Sequence, residues 1–206
     1  RELALKPVLS RKAEPKRLAV IGGGAAGIAA ATMAAKRGHT VQLYEKAAQL
    51  GGQLNLAPRP PHREEIGRLL DYFRAEVERL GVQVNLNATP APDELQADAL
   101  IIGIGAEPVL TEVPGAEVVD VLYGWRVLAG TDKPGQTCAV VGGGLVGVEV
   151  ADMLAEQGHD VVLVARSELL RKAVHVDRVH YLDRMDSLGI EVMTHTQVIE
   201  IRPGEI

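Results

Sequence analysis

Leu18 to Ile21 is a short apolar run that ends in glycines; beyond it Ile28 to Ala35 is apolar almost throughout and is followed by Gly38. Thr40 to Tyr44 is again short and strand-like. This pattern predicts a strand, a tight turn, a helix and a second strand, a βαβ start, with Gly38 supplying the left-handed cap at the helix end. The pattern then recurs. Ala19 to Lys46 aligns without a gap with Ala139 to Arg166, nearly half of the positions being identical. Strands are therefore predicted again at Cys138–Val141 and Asp160–Val164, around a helix closed by Gly158. A solenoid needs at least about three stacked units, so one repetition predicts two related domains.

Between the copies, Pro58-Arg-Pro-Pro61 makes a stiff turn, after which Ile66, Leu69, Leu70, Phe73, Val77 and Leu80 fall on one helical face. A helix is expected over about 62–80, with Glu64, Glu65, Arg68, Arg74, Glu76 and Glu78 on its solvated side. Gly81 closes it, Val82, Val84 and Leu86 alternate as a strand, and Ala99–Ile104 is a continuous apolar run of the kind buried in a parallel sheet. The stretch from Pro108 to Gly135 is rich in Gly, Pro and charge, which puts the crossover near Pro114-Gly115. A helix around Asp177–Leu188 and a strand at Ile190–Thr194 follow the second copy. The expected architecture is α/β: two Rossmann-like βαβ dinucleotide-binding domains with parallel sheets, over 17–114 and 115–206, both incomplete, with truncation expected at the C-terminus. Residues 1–16 read as a basic linker from an upstream domain.

Composition narrows the function. At 206 residues and 47% apolar content there is material for two modest cores. The net charge of −5, without a stripe of Lys or Arg, argues against nucleic acid, and aromatic residues at 3% leave no stacking platform. The single cysteine, Cys138, excludes a disulfide framework, a cysteine-held metal or cluster and a C-x-x-C pair within this chain, and suits a reducing cytoplasm. No stretch reaches the roughly 18 to 20 apolar residues of a membrane helix, so no membrane partner is expected. The histidines never form a ligand-like pair, no metal site is expected, and no nucleophile–base pair is legible, which leaves the catalytic residues unassigned.

The chemistry sits in the glycine turns. In Gly22-x-Gly24-x-x-Gly27 the first glycine permits the strand-to-helix turn, the second lets backbone approach a pyrophosphate, and the third lets helix and strand pack closely. The helix N-terminus beyond, at Ala25 and Ala26, aims free N–H groups and a positive dipole end at the phosphates. Glu45, at the end of the second strand and followed by Lys46, can accept the ribose hydroxyls. Gly142-x-Gly144-x-x-Gly147, with Leu145 and Val146 inside it, has the same context. There the position matching Glu45 is Ala165, next to Arg166, so a 2′-phosphate is tolerated and NADPH is favoured over NADH. Glu149, within Val148-Glu-Val150, is better read as a charge beside the nucleotide than as a core residue, because an unpaired buried charge is costly.

The GGGAAG turn, Glu45, Leu50-Gly-Gly-Gln53, the run Asp98 to Pro108 and GGGLVGVE at 142–149 together resemble two-dinucleotide-binding-domain flavoproteins. More narrowly, the chain resembles the C-terminal half of the old-yellow-enzyme-related iron–sulfur flavoproteins, the family of 2,4-dienoyl-CoA reductase, 2-enoate reductase and trimethylamine dehydrogenase. The resemblance implies an oxidoreductase module that takes hydride from NAD(P)H onto FAD and passes electrons to an upstream barrel of the same parent protein. FMN and a 4Fe-4S cluster belong to that barrel. It further implies that Gly22, Gly24, Gly27, Glu45, Gly52, Gln53 and Gly105 contact FAD, and that Gly144, Gly147 and Glu149 lie on the nicotinamide nucleotide. The family's usual Ala-Thr-Gly is Gly103-Ile104-Gly105 here, which removes a hydroxyl. The alternative is a non-redox adenine-nucleotide-binding scaffold, as in the amine-dehydrogenase branch. Thioredoxin and disulfide reductases share the double fold but need a cysteine pair absent from this chain.

Overall fold

The computed structural model describes residues 14–109, 113–117, 121–171 and 175–203; most of the expected 1–16 linker lies outside them. The chain divides into two compact units, one running to Pro58 and resuming over Glu64–Glu107, the other taking Arg59–Arg63 and the chain from Pro108 onward.

The first unit is a parallel sheet in the order β3-β2-β1-β4. Its strands are β1 (Arg17–Ile21), β2 (Thr40–Glu45), β3 (Gln83–Leu86) and β4 (Ala99–Ile102), with helices α1 (Ala25–Lys36) and α2 (Glu65–Arg79). β1 pairs with both β2 and β4, setting Val20 against Leu43 on one side and Ile101 on the other. Val20, Ile28, Ala31, Val41, Leu43 and Val77 form its buried core. Gly38, with φ at +88°, ends α1 by donating its N–H to the Ala35 carbonyl. The α2 helix is shorter than the apolar periodicity suggested. Pro60 and Pro61 lead into His62, whose φ of +62° is a left-handed conformation incompatible with helix, so the first turn waits until Glu65.

Two further expectations are corrected. Ala99–Ile104 is not a doubly buried strand: β4 stops at Ile102 and lies at the edge of the sheet, leaving Ile102 67% and Ile104 71% exposed. The solvated side assigned to α2 also fails at two positions. Glu76 is buried against Lys36 at 2.7 Å and Arg79 at 2.7 Å, and Arg74 turns inward to the 50–55 loop.

The second unit repeats the first in shorter form, as a parallel sheet in the order β5-β6-β7. Its strands are β5 (Thr137–Val141), β6 (Asp160–Val164) and β7 (Glu191–Met193); α4 (Leu145–Glu156) and α5 (His175–Ser187) pack on it. A short helix, α3 (Gly124–Ala129), stands within the stretch rich in Gly, Pro and charge, burying Val127 and Leu128 and ending at Gly130 with φ +73°. Val148, Leu154, Leu163, Leu169, Tyr181 and Met185 centre the core. Asp152, 1% exposed, is held by both oxygens against Arg184 of α5.

Candidate functional sites at the two glycine turns

In both units the turn is built in the same way. The Gly22 N–H donates to the Tyr44 carbonyl at 2.8 Å and the Gly142 N–H to the Val164 carbonyl at 2.8 Å, so each turn is fastened to its second strand. A methyl group on Gly27 would overlap the Gly22 carbonyl oxygen, and one on Gly147 the Gly142 carbonyl oxygen. The third glycine is therefore fixed by packing of helix on strand, as expected. Gly103 completes this contact in the first unit, since a Cβ there would sit 3.1 Å from the Gly27 nitrogen.

The second glycine behaves differently. Gly24 and Gly144 are helix N-caps with φ of −79° and −80°, values open to any residue. A Cβ on Gly24 would meet nothing nearer than Gly52 Cα at 4.0 Å, and one on Gly144 would meet nothing. Neither helix terminus is capped by a side chain, and neither first turn contains an acid. Two sets of unsatisfied N–H groups therefore face open space, the arrangement that draws a phosphate. Ala25 and Ala26 are exposed at the first of these termini, and Leu145 and Val146 at the second. Gly142, Gly144, Leu145 and Val146 also line a cavity of about 760 Å³ shared with Tyr123 and Trp125, within the usual size range of small-molecule sites.

Glu45 is buried, and its two oxygens are already engaged: Oε2 accepts from the Gly23 N–H at 2.6 Å and Oε1 from the Ala47 N–H at 2.8 Å. Each oxygen keeps a further lone pair for a hydroxyl donor. The Leu50–Gln53 segment lies against the turn. The Gly51 N–H donates to the Gly23 carbonyl at 2.7 Å, and Gln53 Nε2 donates to the Ala106 carbonyl at 3.0 Å, which brings Gln53 beside Gly105. Lys46 reaches Glu107 at 3.0 Å, and this partner raises its pKa. Sequence reasoning missed Arg74, whose guanidinium donates to the Leu50 carbonyl at 2.6 Å and to Asn55 Oδ1 at 2.8 Å, clamping this loop. One arginine on a charged helix face offers no signal to set it apart from its neighbours.

In the second unit Ala165 occupies the place of Glu45, buried against Gly143, and Arg166 beside it is exposed. Glu149 is 9% exposed and paired: Oε1 lies 2.7 Å from Arg63 Nη2 in an ion pair and accepts from the Tyr181 hydroxyl at 3.1 Å. Burial pushes its pKa up, while Arg63 and Tyr181 oppose the shift. Arg63 is a second residue that sequence reasoning missed, lying outside both glycine motifs. Cys138 is half-buried, its thiol pKa raised by burial, and Sγ donates to the Gly135 carbonyl at 3.2 Å. Among the described residues no cluster of His, Cys, Asp or Glu could hold a metal, and no helix is long and apolar enough to cross a membrane.

Residues 16–206 match the family described as pyridine nucleotide-disulphide oxidoreductase. A bilirubin reductase of Mediterraneibacter gnavus is 35% identical over 94% of this chain, which spans 31% of that protein. An NADH oxidase of Thermoanaerobacter brockii is 40% identical over 91% of this chain, which spans 30% of that protein. Among solved structures, a 2-naphthoyl-CoA reductase superposes with a TM-score of 0.89 at 26% identity, covering 94% of this chain and 30% of its own. The chain thus spans about a third or less of the length of these relatives. With the expected kinship to the old-yellow-enzyme-related iron–sulfur flavoproteins borne out by these matches, the chain belongs to the pyridine nucleotide-disulphide oxidoreductase family.

Proposed function

We propose that this chain is the FAD- and NAD(P)H-binding portion of a cytoplasmic flavin-dependent oxidoreductase. Residues 17–114 form the FAD-binding domain, 115–206 the NAD(P)-binding domain, and 1–16 the linker from an upstream barrel holding FMN and a 4Fe-4S cluster. When bound, the two nucleotides supply the redox chemistry, hydride from NAD(P)H being taken up by FAD and electrons passed on to the barrel for enoate or dienoyl-CoA reduction. The protein's share is binding, orientation and electrostatics.

The observation that supports this reading best is the open space over Gly24 and Gly144. Their backbone is ordinary and their surroundings would admit a side chain, so nothing within the protein calls for glycine there. A close-approaching ligand does. In the first domain Gly22, Gly24, Ala25, Ala26 and Gly27 cradle the FAD pyrophosphate, Glu45 with Lys46 reads its ribose, and Gly52, Gln53 and Gly105 line its further course. In the second, Gly142, Gly144, Leu145, Val146 and Gly147 cradle the NAD(P) pyrophosphate, Arg166 faces the adenosine ribose, and Glu149 faces the nicotinamide half. The exposed guanidinium of Arg166, with no carboxylate in the position of Glu45, favours the 2′-phosphate of NADPH.

The test is an absorption spectrum of the purified chain with FAD, followed by anaerobic titration with NADPH and then NADH. Flavin bands that bleach with one nucleotide support the reading and name the donor. A colourless protein that binds ADP refutes the redox role and supports the adenine-nucleotide scaffold, the reading to which Ile104 lends weight by replacing a hydroxyl with an exposed alkyl group.

A further inference from the structure

The stretch Arg59–Arg63 counts with the second unit, although its flanks belong to the first. Its last residue meets the acidic face of α4. Arg63 Nη2 lies 2.7 Å from Glu149 Oε1 and also donates to the Tyr181 hydroxyl at 2.7 Å, while Arg63 Nε reaches that hydroxyl at 3.3 Å. The Tyr181 hydroxyl in turn donates to the same Glu149 oxygen at 3.1 Å, and the guanidinium stands 5.9 Å from the Tyr181 ring centroid. One ion pair and the hydrogen bonds through the Tyr181 hydroxyl thus join three side chains in a small ring in which both contacts to the carboxylate end on Oε1. Oε2 receives none from a described residue.

A carboxylate left 9% exposed on the helix that opens from the second glycine turn is held there at a cost, and burial alone drives it toward the neutral acid. A neutral acid would present a proton donor where an ionised one presents an acceptor. Among the described residues, the other charged groups nearby do not relieve this. Asp152 on the same helix acts against ionisation, and Arg184 of α5 is committed to Asp152 and Glu156. His62 faces Glu156 at 3.4 Å.

We propose that Arg63 and Tyr181 are positioning residues that hold Glu149 as an oriented carboxylate, fastened through Oε1, so that Oε2 is kept to accept a hydrogen bond from the nicotinamide nucleotide. The inference rests on the function proposed above and adds to it the residues that make Glu149 fit for that role. Arg63 lies about 80 residues before the turn it serves, which is why a reading by motif does not reach it.

The experiment measures NAD+ binding to the full chain by calorimetry from about pH 8 to about pH 6, alongside the Glu149 carboxyl titration followed by ¹³C NMR without ligand. Wild type is expected to vary little. Arg63→Met is expected to titrate Glu149 at higher pH and to weaken NAD+ binding roughly fivefold or more as pH falls across that range. Arg63→Lys restores most of the flat profile, and Tyr181→Phe shifts in the same direction by less. Glu149→Gln binds weakly at every pH and abolishes the dependence in the Arg63→Met background. His62→Gln must leave the Arg63→Met response unchanged, since His62 is next to Arg63 in the chain and faces Glu156 on the same helix as Glu149. A uniform loss in Arg63→Met with no pH dependence, or no change in the Glu149 titration, overturns the proposal while leaving NAD+ binding itself standing. Failure of the wild-type chain to bind both NAD+ and, in the same calorimetry, NADP+ overturns both this inference and the second half of the proposed function. If Arg63→Met does not fold, the Arg63→Lys and Tyr181→Phe titrations decide: values equal to wild type in Tyr181→Phe would overturn the ring.

Discussion

An added methyl at Gly27 would overlap the Gly22 carbonyl oxygen, whereas one at Gly24 would meet nothing within contact distance. The two glycines of one turn are thus separable by substitution. Gly27→Ala forces helix α1 off strand β1 and is expected to cost about 3 kcal/mol or more, because backbone on both sides of the clash must move. Gly24→Ala should cost about 1 kcal/mol or less, the difference between glycine and alanine at an N-cap, while lowering FAD affinity by roughly tenfold or more, since the methyl takes the space of the phosphate. Urea unfolding midpoints and FAD titration of the two variants check this. If Gly24→Ala kept full affinity, the open cradle would have no ligand to explain it. The same contrast is expected between Gly147→Ala and Gly144→Ala with NAD+, because the second turn repeats the geometry of the first.

Helix α2 shows how far an element can be read from its own sequence and where that reading stops. Leu70 and Val77 are buried on the face that the apolar period marks out, and the glycine after the helix, Gly81, takes a φ of +67° as a C-terminal stop should. The polar face was not legible. Glu76 and Arg74 look like any solvated pair, and only the tertiary fold brings Lys36 to one and the Leu50 carbonyl to the other. Likewise β4 is apolar enough for a sheet centre, but sheet order, not composition, decides which strand stands at the edge. The Arg79 hydrogen bond, and after it that of Lys36, lower the Glu76 pKa from an ordinary 4.5 to about 2. A carboxylate with a depressed folded-state pKa stabilises the native state above its unfolded pKa and loses that contribution as pH falls through the folded one. The tie between α1 and α2 is therefore present in full above pH 4.5 and is lost on acidification toward pH 2. Glu76→Gln should be less stable than wild type at neutral pH, and the two should converge across this window. Urea midpoints measured down the pH range test this; parallel curves would mean that the ion pairs contribute nothing to holding the helices together.

The two units of the molecule have separate cores, one centred on Leu43 and the other on Leu163, each 0% exposed, with no residue in common. Each unit also has its own glycine turn, fastened to its own second strand by the same bond. A ligand that binds only the native form of one unit stabilises that unit by about 2.7 kcal/mol at 100 times its dissociation constant, and the other unit gains only insofar as the two unfold as one. Hydrogen exchange distinguishes these cases, because opening free energies are read amide by amide. FAD is expected to slow exchange in β1, β2 and α1 while leaving β5, β6 and α4 near their free rates, and NAD+ is expected to do the reverse. Leu43→Ala and Leu163→Ala, each costing about 2 to 5 kcal/mol, should then lower protection only in their own sheets. Equal protection of both sheets by FAD alone would mean that the cores, although they share no residue, open together. In that event the repeat visible in the sequence would describe how the chain is built but not how it is held.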